Sequence, residues 1–208
     1  MKVKICGIKD AATALKAVEY GADALGFVFA ESKRKIGMED ARKIIKGLPD
    51  DDEVMKVGVF VNEARETIEE IANYCGLTHI QLHGDESPEY SESFRYPVIK
   101  AISINTPMDI KRMEEYETEY ILLDSPKGAY NGGTGIPFDW KAAEGVDFTQ
   151  KKVILAGGLN PNNVARAIEI AKPFMVDVSS GVETDGQKDV AKIKTFIDSA
   201  KLAGGIMI

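Results

Sequence analysis

Lys4-Ile5-Cys6-Gly7-Ile8 is the stretch from which the rest of the chain can be read. From Met1 to Ile5 apolar and polar residues alternate with a period of two, and Gly7 ends the run. That is the pattern of a β-strand, with Lys4 and Cys6 on one face and Val3 and Ile5 on the other. If a barrel closes around this strand, Cys6 stands at its C-terminal end, on the rim where such barrels carry their chemistry. A lone buried cysteine ordinarily serves as a small hydrophobe, so position is what gives Cys6 meaning.

Outward from this strand, short runs rich in Val, Ile and Phe alternate with longer amphipathic segments, the βα signature of a parallel sheet. Strands are expected at Val3 to Cys6, Ala24 to Phe29, Lys56 to Val61, His79 to His83, Val98 to Ile102, Tyr120 to Asp124, Val153 to Ala156 and Phe174 to Val178. Helices are expected at Asp10 to Tyr20, Met38 to Lys46, Glu63 to Tyr74, Ser87 to Phe94, Pro107 to Tyr116, Trp140 to Ala143, Pro161 to Ala171 and Val190 to Ala203. Asn160 before Pro161 suits an N-cap followed by proline at the first helical position. A doubly wound open sheet would give a similar linear pattern, but eight strand–helix units in 208 residues favour an α/β fold of the (β/α)8 TIM-barrel type. No Gly/Ser linker, low-complexity tract or charge block divides the chain, so residues 1–208 are expected to form a single barrel domain. The run Asp50-Asp51-Asp52-Glu53 reads as a solvated turn.

The composition, 44% hydrophobic and 28% charged, is that of a globular protein. No apolar run approaches a membrane span of about 20 residues and no signal-peptide pattern opens the chain, so no membrane association and a cytoplasmic location are expected. Two cysteines, Cys6 and Cys75, build no disulfide framework. A formal net charge of −7 without a Lys/Arg cluster argues against nucleic acid as a partner.

Read in order, the C-terminal strand ends give Cys6, the loop after Phe29, His83, Asp124, Gly157-Gly158 and Ser179-Ser180-Gly181. The small residues after strands seven and eight, Gly157, Gly158, Ser180 and Gly181, would let backbone N–H groups approach an anion, and a phosphorylated substrate is favoured. The alternative is that these glycines only make tight turns. Alternation sends His79, Gln81 and His83 to one face and Ile80 and Leu82 to the other. The Cys75, His79, His83 spacing suggests zinc, but a strand from His79 to His83 separates its ends by roughly 13 Å, too far for one tetrahedral ion. No metal is expected. The glycine-rich loop from Ser125 to Phe138 is either a mobile lid or a plain flexible segment, the lid being favoured by Asp124 at its base, and it lacks the lysine of a Walker phosphate loop. The same alternation points Lys4 and Asp177 inward on neighbouring strands, where they are expected to pair.

Together these motifs resemble the phosphoribosylanthranilate isomerase family. The likeness runs through Lys4-Ile5-Cys6-Gly7-Ile8, Gly26-Phe27-Val28-Phe29 with Ser32-Lys33-Arg34, Val57-Gly58-Val59-Phe60-Val61, Gln81-Leu82-His83-Gly84, Leu122-Leu123-Asp124, Gly132-Gly133-Thr134-Gly135 with Phe138-Asp139-Trp140, Ala156-Gly157-Gly158-Leu159 and Val176-Asp177-Val178-Ser179-Ser180-Gly181-Val182-Glu183. The resemblance implies an Amadori rearrangement of a phosphoribosyl anthranilate in tryptophan biosynthesis. It implies Asp124 as the general acid, Cys6 as the general base and Arg34 as the residue holding the anthranilate carboxylate. Gln81, His83, Gly157, Gly158, Ser180 and Gly181 are the further substrate-binding candidates, and no cofactor is required. A thiol of ordinary pKa would supply some thiolate near neutrality, and a dry lid would raise the carboxyl's pKa.

The family pattern is broken in places. Ala30-Glu31 stand where a bulkier pair is common, and Ile136-Pro137 where a basic residue is frequent. Another phosphosugar barrel, an epimerase or a thiamine-phosphate synthase, is the rival enzyme reading; the epimerase would want metal ligands at its strand ends. A non-catalytic phosphoribosyl-binding barrel is the rival of a different class. The partner expected is the phosphosugar-anthranilate substrate, with the chain a monomer or homodimer.

Overall fold

The computed structural model describes residues 1–49, 53–125, 146 and 148–205. The strands, β1 (Lys2–Cys6), β2 (Ala24–Val28), β3 (Met55–Phe60), β4 (His79–Leu82), β5 (Val98–Ser103), β6 (Tyr120–Asp124), β7 (Lys152–Leu155) and β8 (Met175–Val178), pair in chain order and close into a barrel. Every pairing is parallel, including β1 with β8, so the (β/α)8 expectation holds and the open sheet is excluded. Between the strands lie α1 (Ala11–Glu19), α2 (Met38–Lys46), α3 (Arg65–Cys75), α4 (Pro88–Glu92) and α5 (Val164–Ala171), with α6 (Val190–Ala203) after β8. Pro107–Glu115, expected as a helix, is of the tighter 3-10 kind. The expected helix Trp140 to Ala143, the loop glycines from Gly128 to Gly135, and the Asp50-Asp51-Asp52 turn lie outside the described residues.

Alternation along each strand splits the apolar residues into two cores. Val3, Ile5, Leu25, Phe27, Ile80 and Leu82 face outward and pack with the helices. Ala24, Val57, Ile99, Leu122, Ile154 and Met175 fill the barrel interior. Above that plug, nearer the C-terminal rim, sits a small cluster of Cys6, Val28 and Val59. Burying one such aliphatic side chain contributes about 1.5–3 kcal/mol, so the two cores dominate the stability and the polar rim is free to serve function.

Lys4 and Asp177 are in register on β1 and β8, and Lys4 Nζ meets Asp177 Oδ2 at 3.0 Å with Lys4 wholly buried, as the alternation predicts. Two helix starts show how local chemistry fixes the frame. Asp10 caps α1 by accepting the Thr13 N–H at 2.8 Å. Regular α5 begins at Val164, later than expected, because Asn160 and Asn163 form a reciprocal turn first. Asn160 Oδ1 accepts the Asn162 N–H at 2.9 Å and Asn163 Oδ1 the Asn160 N–H at 2.8 Å. Asn160 thus still satisfies orphan donors at the entrance to the helix. Among the described residues no helix is long and apolar enough to cross a membrane.

Candidate active site

A cleft of about 590 Å³ opens at the C-terminal ends of the strands, lined by Cys6, Arg34, Gln81, His83, Asp124, Gly157, Gly158, Asp177 and Ser180, with Glu31 and Ser179 on its wall. Eight of the nine residues expected from sequence are thus brought together. The ninth, Gly181, stands just behind the lining, where a Cβ would lie 1.9 Å from the Leu159 carbonyl oxygen. That contact presses the loops after β7 and β8 against each other. Gly157 and Gly158 have φ of +78° and +69°, and a Cβ on Gly157 would strike the Ser125 backbone nitrogen at 2.5 Å. A side chain at either position would strain the turn.

Cys6 closes β1 beside Gly26 of β2, and room for the sulfur exists because that neighbour lacks a side chain. The thiol is 8% exposed. Burial pushes it above its ordinary value, and the nearby Lys4 and Lys188 pull the other way. The resting group is therefore a thiol, with less thiolate near neutrality than an ordinary cysteine supplies, because the apolar wall of Val28 and Val59 strips it of water. Its own backbone carbonyl accepts the Ser179 hydroxyl at 3.1 Å, tying the rim of β1 to that of β8.

Asp124 ends β6. Its Oδ1 accepts the Ser125 N–H at 2.8 Å, and its Oδ2 lies 3.1 Å from His83 Nε2. His83 Nδ1 in turn lies 2.9 Å from Gln81 Nε2, so the inward row read from β4 is a hydrogen-bonded chain ending on the β6 carboxylate. Two buried acceptors on the cleft wall, Gln81 Oε1 and Asp177 Oδ1, have no hydrogen-bond partner among the described residues. An orphaned buried acceptor costs about 1–3 kcal/mol, which a ligand hydroxyl or N–H would recover.

Arg34 is not an ordinary surface arginine. Its Nε and Nη2 donate to the two oxygens of Glu183 at 2.6 and 2.8 Å, and a Cβ on Gly7 would meet its Cδ at 2.7 Å. The guanidinium is thus held along one edge, and its other N–H groups remain for a ligand. Glu183 belongs to β9 (Glu183–Thr184), which pairs with β10 (Gln187–Lys188) as a two-stranded hairpin. Lys188, 6% exposed in its side chain, donates to Glu183 Oε1 at 2.7 Å and to the Ser179 carbonyl at 2.9 Å. Burial lowers its value, while the carboxyl of Glu183, opposed by burial but bonded by Arg34 and Lys188, falls below its own. Sequence reading missed this hairpin. Its signal was the Asp185-Gly186 pair, both with positive φ, the usual mark of a two-residue turn.

The suggested zinc spacing dissolves in three dimensions. Cys75 Sγ donates to the Met38 carbonyl, His79 Nδ1 lies 2.9 Å from Thr78 Oγ1, and His83 belongs to the Asp124 chain. Burial lowers His79 to about 4, so it is a neutral, half-buried histidine. No group of three His, Cys, Asp or Glu able to hold a metal ion occurs among the described residues.

Fold and site together define a (β/α)8 barrel with a cleft in its C-terminal mouth lined by a thiol, a carboxyl, an imidazole and a guanidinium, and the comparisons narrow the class. Residues 3–199 match the family of N-(5'phosphoribosyl)anthranilate (PRA) isomerase. An N-(5'-phosphoribosyl)anthranilate isomerase of Bacillus cereus (strain Q1) is 55% identical over 202 residues, 97% of this chain and 98% of the relative. The crystal structure of phosphoribosyl anthranilate isomerase from Thermotoga maritima superposes with a TM-score of 0.89 at 46% identity, covering 97% of this chain and 98% of that one. A crystal structure of such an isomerase in complex with reduced 1-(o-carboxyphenylamino)-1-deoxyribulose 5-phosphate has a TM-score of 0.83 at 44% identity, with the same coverage. The chain belongs to the N-(5'-phosphoribosyl)anthranilate isomerase family.

Proposed function

We propose that this protein converts N-(5'-phosphoribosyl)anthranilate into 1-(2-carboxyphenylamino)-1-deoxyribulose 5-phosphate, with Asp124 as general acid and Cys6 as general base. The observation that carries this is that a thiol from β1 and a carboxyl from β6 enter the same cleft, with a half-buried arginine beside them. Asp124 gives its proton to the furanose ring oxygen, the bond from C1′ to that oxygen breaks, and the anilino nitrogen's lone pair forms an iminium. The iminium acidifies C2′, whose proton passes to the Cys6 sulfur in its thiolate form, which the resting thiol reaches by giving its proton to solvent and which the nearby Lys4 and Lys188 favour. The resulting enolamine takes a proton at C1′ as its 2′-hydroxyl gives one up, and becomes the ketone. Each proton transfer by a positioned group contributes about 10²–10⁴-fold, so both groups are needed for an effective rate.

The rest of the cleft fits the parts of that substrate. The unbonded edge of Arg34 suits the anthranilate carboxylate. The closely approached loops of Gly157-Gly158 and Ser180-Gly181 suit the phosphate, which small residues admit to backbone N–H groups. The orphaned acceptor of Asp177 suits a hydroxyl donor of the sugar. Decay of anthranilate fluorescence, followed with freshly prepared substrate and purified protein, tests the reading. Turnover lost in Cys6→Ala and Asp124→Asn supports it; a wild-type protein that binds the substrate without turning it over would make it a binding barrel.

A further inference from the structure

Gln81 is 1% exposed and presents an amide with two unlike ends. Its Nε2 donates to His83 Nδ1 at 2.9 Å, while Oε1 has no partner among the described residues. Nδ1 therefore accepts, the ring proton lies on Nε2, and that proton points at Asp124 Oδ2, 3.1 Å away. The second oxygen of Asp124 accepts the Ser125 N–H at 2.8 Å. Both oxygens of Asp124 thus face donors, which leaves no acceptor opposite them for a proton of its own. A general acid at this position must nonetheless be loaded with a proton.

We propose that the Gln81 amide is a positioning switch that lets the His83–Asp124 pair hold that proton, by turning over so that Oε1 instead of Nε2 faces Nδ1. The proposal rests on the reading of Asp124 as the general acid. In the resting pair one proton is shared between ring and carboxylate, on Nε2. One more proton gives either an Asp124 O–H donating to a bare Nε2 with the ring proton on Nδ1, or an imidazolium facing a carboxylate. Both forms carry an N–H at Nδ1. A donor cannot face that N–H, so the amide must offer its acceptor end. Asparagine and glutamine are the side chains that can do this while neutral and keep the same outline, because the two ends of the amide are alike in size and opposite in polarity. When Asp124 passes its proton to the ring oxygen, the pair returns to its resting form and Gln81 turns back.

The groups around the pair come from every neighbouring element. β1 brings Lys4 and Cys6, β8 brings Asp177, and the loop after β2 brings Glu31 and Arg34. β3 and β5 face Gln81 with the uncharged Val59 and Ile99. Behind His83 lie Asp85, Lys100 and Arg112, lining a second cleft.

The test is nuclear magnetic resonance of the full chain with isotope-labelled histidine. The chain has two histidines, and His79→Gln assigns the ring signals. The wild-type His83 ring should carry its proton on Nε2 alone at high pH and gain an Nδ1 proton in the same one-proton step in which the Asp124 carboxyl responds. In Gln81→Glu, whose ionised end only accepts, that step should move to higher pH, and the alkaline limb of kcat should follow it. In Gln81→Met the ring should lose its single tautomer, with kcat falling more than KM rises. A ring that keeps Nε2–H alone while Asp124 titrates, or a step unmoved in folded Gln81→Glu, overturns the switch. Asp124→Asn separates the two ideas: if it retains turnover, the acid reading fails; if it is inactive while the ring never changes tautomer, only the Gln81 inference fails.

Discussion

Gly26 stands beside Cys6 in the parallel register of β1 and β2, and a Cβ built on it would lie 2.7 Å from the Cys6 sulfur and 3.1 Å from its Cα. The empty side of Gly26 is therefore part of the thiol's position. Gly26→Ala should lower kcat by about tenfold or more, with a stability loss of about 1–3 kcal/mol from overpacking. Steady-state kinetics and urea unfolding measure both, and wild-type kcat in the folded variant would show that the sulfur has slack.

Removing either of the groups proposed to transfer protons should leave a folded protein that still binds. Cys6→Ala and Asp124→Asn are each expected to lower kcat by about 10²–10⁴-fold while the affinity for the reduced product analogue changes little. Calorimetric titration with that analogue, beside fluorescence kinetics, reads the two effects separately.

Burial holds the Cys6 thiol above its ordinary value of 9.0, so the folded protein keeps this proton to higher pH than the unfolded chain. The sign follows. The stability contribution is present below pH 9.0 and is lost as pH rises through the folded value. Alkylation by iodoacetamide in a Cys75→Ala background should be slow at neutral pH and accelerate only above the ordinary thiol range. Rapid neutral alkylation would contradict a protonated resting thiol.

Arg34→Ala should raise KM more than it lowers kcat, since the guanidinium is read as holding the carboxylate in ground and transition states alike. Glu183→Gln, which removes the anion that Arg34 and Lys188 share, should also raise KM by loosening the fork. Unchanged KM in both variants would return Arg34 to a structural role.

Glu86 and Lys100 form an ion pair at 2.7 Å with side chains 3% and 2% exposed. The carboxyl also accepts the N–H groups of Asn62 and Gly84, so it pins the loops after β3 and β4. Burial opposes its ionisation, but these bonds prevail and hold it below its ordinary value of 4.5. Its stabilisation is complete above that value and is lost as pH falls through the folded one. Glu86→Gln should cost about 3–5 kcal/mol near neutrality, because Lys100 is left buried without a counter-charge, and should flatten the acid slope of thermal unfolding.

The barrel was legible because its signal is local: period-two runs separated by helical segments, repeated until the sheet closes. The pairing of Lys4 with Asp177 was legible too, since alternation alone sets which way each side chain points. The rim residues could be read for the same reason, as each sits at the end of a strand already placed. What could not be read depends on contacts between loops far apart in the chain. The grip of Glu183 on Arg34 spans 149 positions, and the anchoring of Asn62 by Glu86 joins two turns that no periodicity relates. The upward push on the Cys6 thiol could not be read either, because a thiol's ionisation follows its dryness, which exists only once Val28 and Val59 have closed over it.

The β1–β8 seam is fastened by Lys4 to Asp177 and by Ser179 to the Cys6 carbonyl, and the chain's ends are tied beside it by Arg34 to Glu183 and Lys201 to Asp23, across separations of 149 to 178 positions. Cys6, Arg34 and the Gly157–Ser180 cradle therefore acquire their partners only when the last strand docks on the first. Loop closure over such distances is slow, so the molecule's chemistry should be the final thing that folding delivers. A nascent chain still lacking β8 would carry Cys6 as an open edge cysteine, exposed to oxidants against which the finished barrel shields it.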